Sequence, residues 1–242
     1  MRLIGILSFY NESPSWLAAC VASMAGVCDQ VVAVDGRYAL YPDEATVSPP
    51  EQVEALVETA AGARLPLTVH RPVEPFYGGE VEKRNLTLKL AAVHAEPMLD
   101  WLLVMDADCI IIERSDLLKH DLEHCEQHSA SVAVEEHMDP HDPRFPMSIA
   151  QDVSLETSWR SPVTLLYRML PNLAYEGTHY SLAGDVDGQR TWLWGHDSAV
   201  QPYDATHDIV VRHRNTERPL FRQEQAAAYY ATRERLKVET RP

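Results

Sequence analysis

Cysteine, glycine and positive charge are all in short supply in this chain. Its four cysteines, Cys20, Cys28, Cys109 and Cys125, lie far apart with no C-x-x-C spacing, so neither a zinc-binding knuckle nor a disulfide framework is predicted. Lysine and arginine total 21 against 36 acidic residues, a net charge of −15. That balance weighs against broad contact with a nucleic-acid backbone, which calls for a basic surface. No stretch approaches the roughly 18 apolar residues of a membrane span, and the first residues lead straight into a strand-like segment rather than a secretory signal. The cytoplasm is the expected location.

What is present is a chain of 242 residues, 45% of them hydrophobic, enough to bury a substantial core. One larger α/β domain over residues 1–242 is expected rather than two. The charge is unevenly spread: residues 212–241 carry eight basic against four acidic side chains, a tail suited to an anionic ligand or to a solvated helix face.

Periodicity supplies the fold class. "RLIGILSF", "QVVAVDG", "LPLTVHRP" and "DWLLVMDAD" read as buried strands. Between them, "NESPSWLAACVASMAGV", "SPPEQVEALVETAAGA" and "GGEVEKRNLTLKLAAVHA" carry cap residues and helical spacing. Strand and helix in alternation predict a mainly parallel sheet with helices on both faces. In such sheets ligands gather beyond the carboxyl ends of the strands, where Asn11, Glu12, Asp35, Asp106 and Asp108 all fall.

Beyond this half, "SVAVEEHMD", "VTLLYRML", "RTWLWG" and "DIVVRHR" read as further strands, and "PLFRQEQAAAYYATRERLKVE" as a closing helix. The segment "HMDPHDPRFPMSIAQDVSLETSWRSP", with four prolines, reads as a long loop or lid. The D-x-D of Asp106 and Asp108 suits a hard divalent cation, Mn²⁺ or Mg²⁺, because closely spaced carboxylates bind it while leaving positions for phosphate oxygens.

Five motifs in order, "SFYNES", "VVAVDG", "EKRNLTLKLAA", "LLVMDADC" and "LLYRMLPNLAYEGTHYSL", followed by the "DIVVRHR" strand and its basic helix, resemble family 2 glycosyltransferases. The resemblance implies the GT-A fold and a metal-dependent glycosyltransferase. Its donor is then a UDP- or GDP-linked sugar, and its acceptor carries a hydroxyl of unspecified type. Residues 1–112 become the donor half, 113–218 the acceptor half and lid, and 219–242 the C-terminal helix.

Carried over by position, the resemblance gives Asp35 to the nucleobase and Asp106 to the ribose and metal side. Asp108 becomes the principal metal ligand, joined by His213, which ends an apolar strand where His207 only precedes it. Asn11, Glu12, Lys83, Arg84 and Arg214 are candidate donor contacts, with Arg218 and Arg222 as nearby cations. Glu176, in "YEGTH", is read as a general base, as a partner orienting His179, or as an acceptor contact; Asp152, Glu156 and Asp185 are its rivals for the base.

Three other readings compete. A sugar nucleotidyltransferase uses a similar sheet, but the glycine-rich phosphate loop usual after its first strand is missing from "SFYNESPSW". A non-catalytic protein that binds nucleotide sugars fits the same fold. The H-x-D of His137 and Asp139 with a later histidine matches the facial triad of iron oxygenases, but the strand–helix alternation contradicts their all-β scaffold.

Overall fold

The computed structural model describes residues 1–137, 158–178, 181–194, 201–214 and 220–239. Residues 138–157 of the expected lid, with Asp139, Asp152 and Glu156, together with His179 and Arg218, lie outside the described residues, as do the side chains of His137 and Arg222; the rest of the expected lid, His137 and Ser158–Pro162, is strand instead.

The first half follows the predicted alternation: β1 (Leu3–Ser8), α1 (Pro14–Met24), β2 (Gln30–Val34), α2 (Pro50–Gly62), β3 (Leu67–His70), α3 (Gly79–Ala92) and β4 (Trp101–Asp106). The strands pair in parallel in the order β3-β2-β1-β4. Proline at the first turn of α1 and of α2 is compatible with the helix because that residue's amide hydrogen has no intrahelical partner.

Beyond them come β5 (Cys109–Arg114), α4 (Leu118–His124), β6 (Ser129–His137), β7 (Ser158–Arg168), β8 (Ala174–Tyr175), β9 (Leu182–Val186), β10 (Gln189–Trp194), β11 (Tyr203–Asp204), β12 (Ile209–His213) and α5 (Leu220–Glu239). Five of these elements were not anticipated: β5, α4, β8, β9 and β11. The large sheet continues from β4 as β7-β6-β12-β5, with β7 and β5 antiparallel to their neighbours and β12 parallel to β6. A second, antiparallel sheet consists of β10-β9-β8. This is the mixed, mainly parallel α/β arrangement that a GT-A fold requires.

Both faces of the large sheet are covered, which is why its central strands read as continuous apolar runs rather than alternating ones. Leu3 and Leu7 point to the face packed by Leu17, Val21 and Met24 of α1, Leu56 and Ala60 of α2, and Leu118 and Leu122 of α4. Ile4 and Ile6 point to the opposite face, with Leu88 and Ala91 of α3 and the small sheet's Tyr175, Leu182 and Leu193. Each fully buried Leu or Met contributes about 1.5–3 kcal/mol by leaving water. Gly5 permits a close approach: a Cβ there would lie 2.2 Å from Met24 Cε and 3.2 Å from Cys28 Sγ.

The amino edge of the sheet is tied by acidic pins. Asp100 accepts the amides of Arg2 and Glu96 at 2.7 and 2.8 Å and pairs with the Arg2 guanidinium. Its carboxyl is held below the usual range because these donors outweigh the opposing effect of burial. Asp29 joins the amide of Leu3 to Lys119 at the same edge. The candidate functional acids collect at the other edge. No helix among the described residues is long and apolar enough to cross a membrane.

Candidate functional site

The carboxyl edge is built from chain reversals after β1, β2 and β4. Strand β4 ends at Asp106, in register with Ser8 of β1; Ala107 and Asp108 form the turn, and the chain departs as β5. That turn sends the two carboxylates of the D-x-D in different directions.

Asp108 is buried, and its Oδ2 lies 3.0 Å from His213 Nε2, a contact between residues 105 positions apart. On the other side of the imidazole, Nδ1 lies 3.0 Å from Glu136 Oε1. His213 is therefore held between two carboxylates. Burial alone would lower its pKa, but the hydrogen bonds and charges of Asp108 and Glu136 outweigh that and raise it to about 9.

The consequence for stability has a definite sign. The folded pKa lies above the ordinary histidine value of 6.5, so this contribution is fully present below pH 6.5 and is lost as pH rises through about 9. In chelator-treated protein, the melting-temperature difference between wild type and His213→Gln is expected to shrink across that window. A difference that stays constant with pH would mean that the carboxylates do not hold an imidazolium.

The donor atoms fit a divalent ion. Two ligands bound at right angles about 2.1 Å from one cation sit about 3 Å apart, the separation found between Asp108 Oδ2 and His213 Nε2. Cys109 Sγ belongs to the same group of potential ligand atoms, all within 4.8 Å of one another. His213 retains 28% side-chain exposure, so the group is reachable from solvent.

Asp106 is turned instead toward α3. Arg84 Nη2 lies 3.1 and 3.3 Å from its two oxygens and 3.4 Å from Glu80 Oε1. Burial would weaken the Arg84 charge, but Asp106, Tyr175 and Glu80 keep its pKa well above the usual value. The guanidinium also sits 5.9 Å from the Tyr175 ring. Asp106 keeps 47% of its side chain exposed. Its predicted share in the metal is not matched by this geometry, which groups Asp108 with His213 and Asp106 with Arg84.

Lys83 does not lie on a solvated helix face. Its ammonium donates to the carbonyls of Phe9 at 2.5 Å and Gly36 at 2.8 Å, tying together the chain ends that follow β1 and β2. Burial pushes its pKa down to about 7, against the pull of Asp35.

Asp35 is likewise engaged. Its fully buried carboxylate accepts from the amide of Gly36 at 2.7 Å, the amide and hydroxyl of Ser48 at 2.9 and 2.6 Å, and Arg71 Nε at 3.3 Å. Gly36 makes the turn possible, since its φ of +126° is strained for any residue with a Cβ. Asp35, the expected nucleobase contact, pins the loop that follows β2 in this geometry.

Asn11 and Glu12 complete that loop network. The Asn11 amide donates to Ser48 Oγ at 2.7 Å, and its side chain bridges Asp43 and Gln52. The amide of Glu12 donates to Gln52 Oε1 at 2.9 Å. Arg214 is only 9% exposed; its guanidinium lies 4.5 Å from the Trp16 ring, and its amide donates to the carbonyl of Asp108 at 2.8 Å. The backbone of the Asp108 turn and the arginine after β12 are thus fixed together.

Glu176 reaches the same edge through α3. Asn85, next to Arg84, exchanges hydrogen bonds with the backbone of Tyr175 at 3.0 and 2.7 Å. Glu176 itself is exposed and paired with Arg190, which also holds Asp185 at 3.2 Å. Ser8, Arg84, Thr87, Val104 and Tyr175 line a small crevice.

Sequence reading missed Ser48, Arg71, Glu136 and Cys109. Glu136 lay in a recognised strand, but two glutamates in tandem gave no sign of which one meets a histidine. The register answers it: Glu135 pairs with Arg160 and Arg212, while Glu136 stands beside His213.

Comparison with protein-family models and with curated proteins returns no match. Among solved structures, the chain is similar to a glucose-1-phosphate thymidylyltransferase from Bacillus anthracis crystallised with sucrose. The identity is 12%, 69% of each chain is covered, and the TM-score is 0.35. It is also similar to a 2-C-methyl-D-erythritol 4-phosphate cytidylyltransferase from Francisella tularensis, at 8% identity, covering 70% of this chain and 73% of that one, with a TM-score of 0.35. Overlap at this level carries no conclusion about chemistry.

Proposed function

We propose that this chain is a metal-dependent glycosyltransferase that moves a sugar from a nucleoside-diphosphate sugar to a hydroxyl acceptor. The observation that carries the proposal is the 3.0 Å approach of Asp108 and His213, brought together at the carboxyl edge of a mainly parallel sheet. The predicted donor-half boundary at residue 112 and acceptor half over residues 113–218 form part of the same proposal.

Asp108 and His213 would hold Mn²⁺ or a related divalent ion. When bound, that ion supplies neutralisation of the charge that develops on the departing diphosphate. Asp106, half-exposed and steadied by Arg84, would accept from the hydroxyls of the donor's ribose. Arg214, buried against Trp16, adds a fixed positive charge behind the Asp108 turn. In the reaction the bond from the sugar's anomeric carbon to the diphosphate oxygen breaks. A bond from that carbon to the acceptor oxygen forms, and the hydroxyl proton passes to a carboxylate.

We assign that proton to Glu176, whose neighbour Tyr175 is tied to Asn85 of α3 beside Arg84. Glu176→Gln is expected to lower kcat by about 10²–10⁴-fold while leaving donor affinity within a factor of two or three. Because an exposed ion pair contributes about 0–1 kcal/mol, the melting temperature should hardly move. Unchanged kcat would transfer the role to Asp152, Glu156 or Asp185.

A donor panel tests the activity. Release of free sugar and nucleoside diphosphate from one of a set of UDP- and GDP-linked sugars, dependent on added metal, is the expected result. Pyrophosphate release from a nucleoside triphosphate and a sugar 1-phosphate would instead identify a sugar nucleotidyltransferase. Nucleotide-sugar binding with no turnover of any donor would identify a binding protein.

A further inference from the structure

Resting on the Asp108–His213 site proposed above, we propose that Cys109 is a third protein ligand of the same cation. The centre then takes a borderline, thiophilic divalent ion of the Zn²⁺ or Co²⁺ kind in preference to Mg²⁺.

The register places the thiol. Cys109 of β5 and His213 of β12 are direct cross-strand partners, so their side chains leave the sheet on the same side. Glu136 of β6 stands opposite His213 on its other flank. Three neighbouring strands thus present Cys109, His213 and Glu136 in a row, and the turn before β5 adds Asp108 above them.

The distances agree with a shared ion. Cys109 Sγ lies 3.9 Å from Asp108 Oδ1, and the sulfur, carboxylate and imidazole ligand atoms all fall within 4.8 Å of one another. Around a tetrahedral ion, with about 2.3 Å to sulfur and about 2.0 Å to oxygen or nitrogen, such atoms sit about 3.5 Å apart. From 3.9 Å the sulfur–carboxylate pair closes by about 0.4 Å, and a pair at the 4.8 Å limit closes by about 1.3 Å.

The chemistry follows from the donors. One thiolate, one imidazole and one carboxylate favour Zn²⁺ or Co²⁺, whereas Mg²⁺ prefers oxygen alone. Three protein ligands leave a position for a diphosphate oxygen, the open arrangement of a catalytic rather than a structural ion. Binding releases the thiol proton and the Nε2 proton of the imidazolium to solvent, and no electron is transferred. Glu136, 3.0 Å from Nδ1, acts as a positioning residue: it takes the Nδ1 hydrogen and leaves Nε2 facing the ion.

Cobalt spectroscopy reads the sulfur bond directly. Chelator-treated full-length protein titrated with Co²⁺ is expected to develop a thiolate-to-cobalt charge-transfer band in the near ultraviolet, saturating at one equivalent. Cys109→Ser should abolish that band and weaken Co²⁺ affinity by about 10–100-fold, whereas Cys20→Ser, a control at the other buried thiol near Asp106, should keep both. Cadmium-113 NMR of the wild-type protein identifies a sulfur ligand from its downfield shift without any substitution, and so decides the matter if Cys109→Ser does not fold. Cobalt bound without the band, or a band that survives Cys109→Ser, overturns the assignment while leaving Asp108 and His213 as the donor site. A band present in wild type but unaltered by any nucleotide upholds the metal centre and removes the donor reading.

Discussion

Asp108→Asn is expected to reduce metal-dependent turnover of the donor by more than about 100-fold, since even partners one shell removed from a cation cost about 10–100-fold when replaced. The backbone should survive the change. The hydrogen bond from the Arg214 amide goes to the Asp108 carbonyl, which the substitution keeps. An asparagine oxygen can still meet His213 Nε2, but it brings no charge to offset a dication. Circular dichroism should therefore resemble wild type, with the melting temperature lowered below about pH 9 where the imidazolium pair contributes, while donor hydrolysis falls to background. Asp106→Asn is the informative contrast, because it removes the carboxylate held by Arg84 and leaves the Asp108–His213 pair intact. Wild-type turnover in Asp108→Asn would show that the pair is a structural contact at a strand end.

Asp35→Asn is expected to cost about 3 kcal/mol of stability, the scale of leaving a buried ion pair or hydrogen-bond network without one partner. The carboxylate accepts from four groups, the amides of Gly36 and Ser48, the Ser48 hydroxyl and Arg71. An asparagine replaces one acceptor oxygen with a donor that must face one of these hydrogens. For a chain of this length the melting temperature should fall by about 6–12 °C. The same substitution separates two roles. If Asp35 serves mainly as a loop pin, stability drops and donor affinity in the surviving folded fraction changes little. If it reads a nucleobase, affinity falls at least as far as stability does.

The strand–helix alternation of residues 1–106 was legible because β1, β2 and β4 are buried on both faces and α1 and α2 each open on a proline. What the pattern did not yield was β5. "CIII" looked like the tail of the preceding strand, and only the reversal at Ala107 and Asp108 makes it a separate strand paired with β12. The same reversal explains why the D-x-D was half legible. Spacing puts both carboxylates at the ligand edge, but it cannot tell that the chain turns between them and hands one to Arg84 and the other to His213.

Asp35 shows a further limit. Its place after a strand was readable, yet its partner Ser48 lies 13 positions on, in a loop whose path no local rule predicts. Lys83 shows another, since helical spacing alone did not reveal that its ammonium reaches back to Phe9 and Gly36. Glu136 and Cys109 depended on register between strands far apart in the chain, a property fixed by packing of the whole sheet rather than by any neighbouring residue.

Calorimetry of UDP and GDP binding, with Mn²⁺ or Co²⁺ present and again after chelation, tests the central claim most directly. The account predicts that one of the two nucleotides binds with metal present, that chelation weakens it by at least about tenfold, and that Asp108→Asn removes the metal-dependent part. Binding that is indifferent to metal, or no binding of either nucleotide, would contradict it.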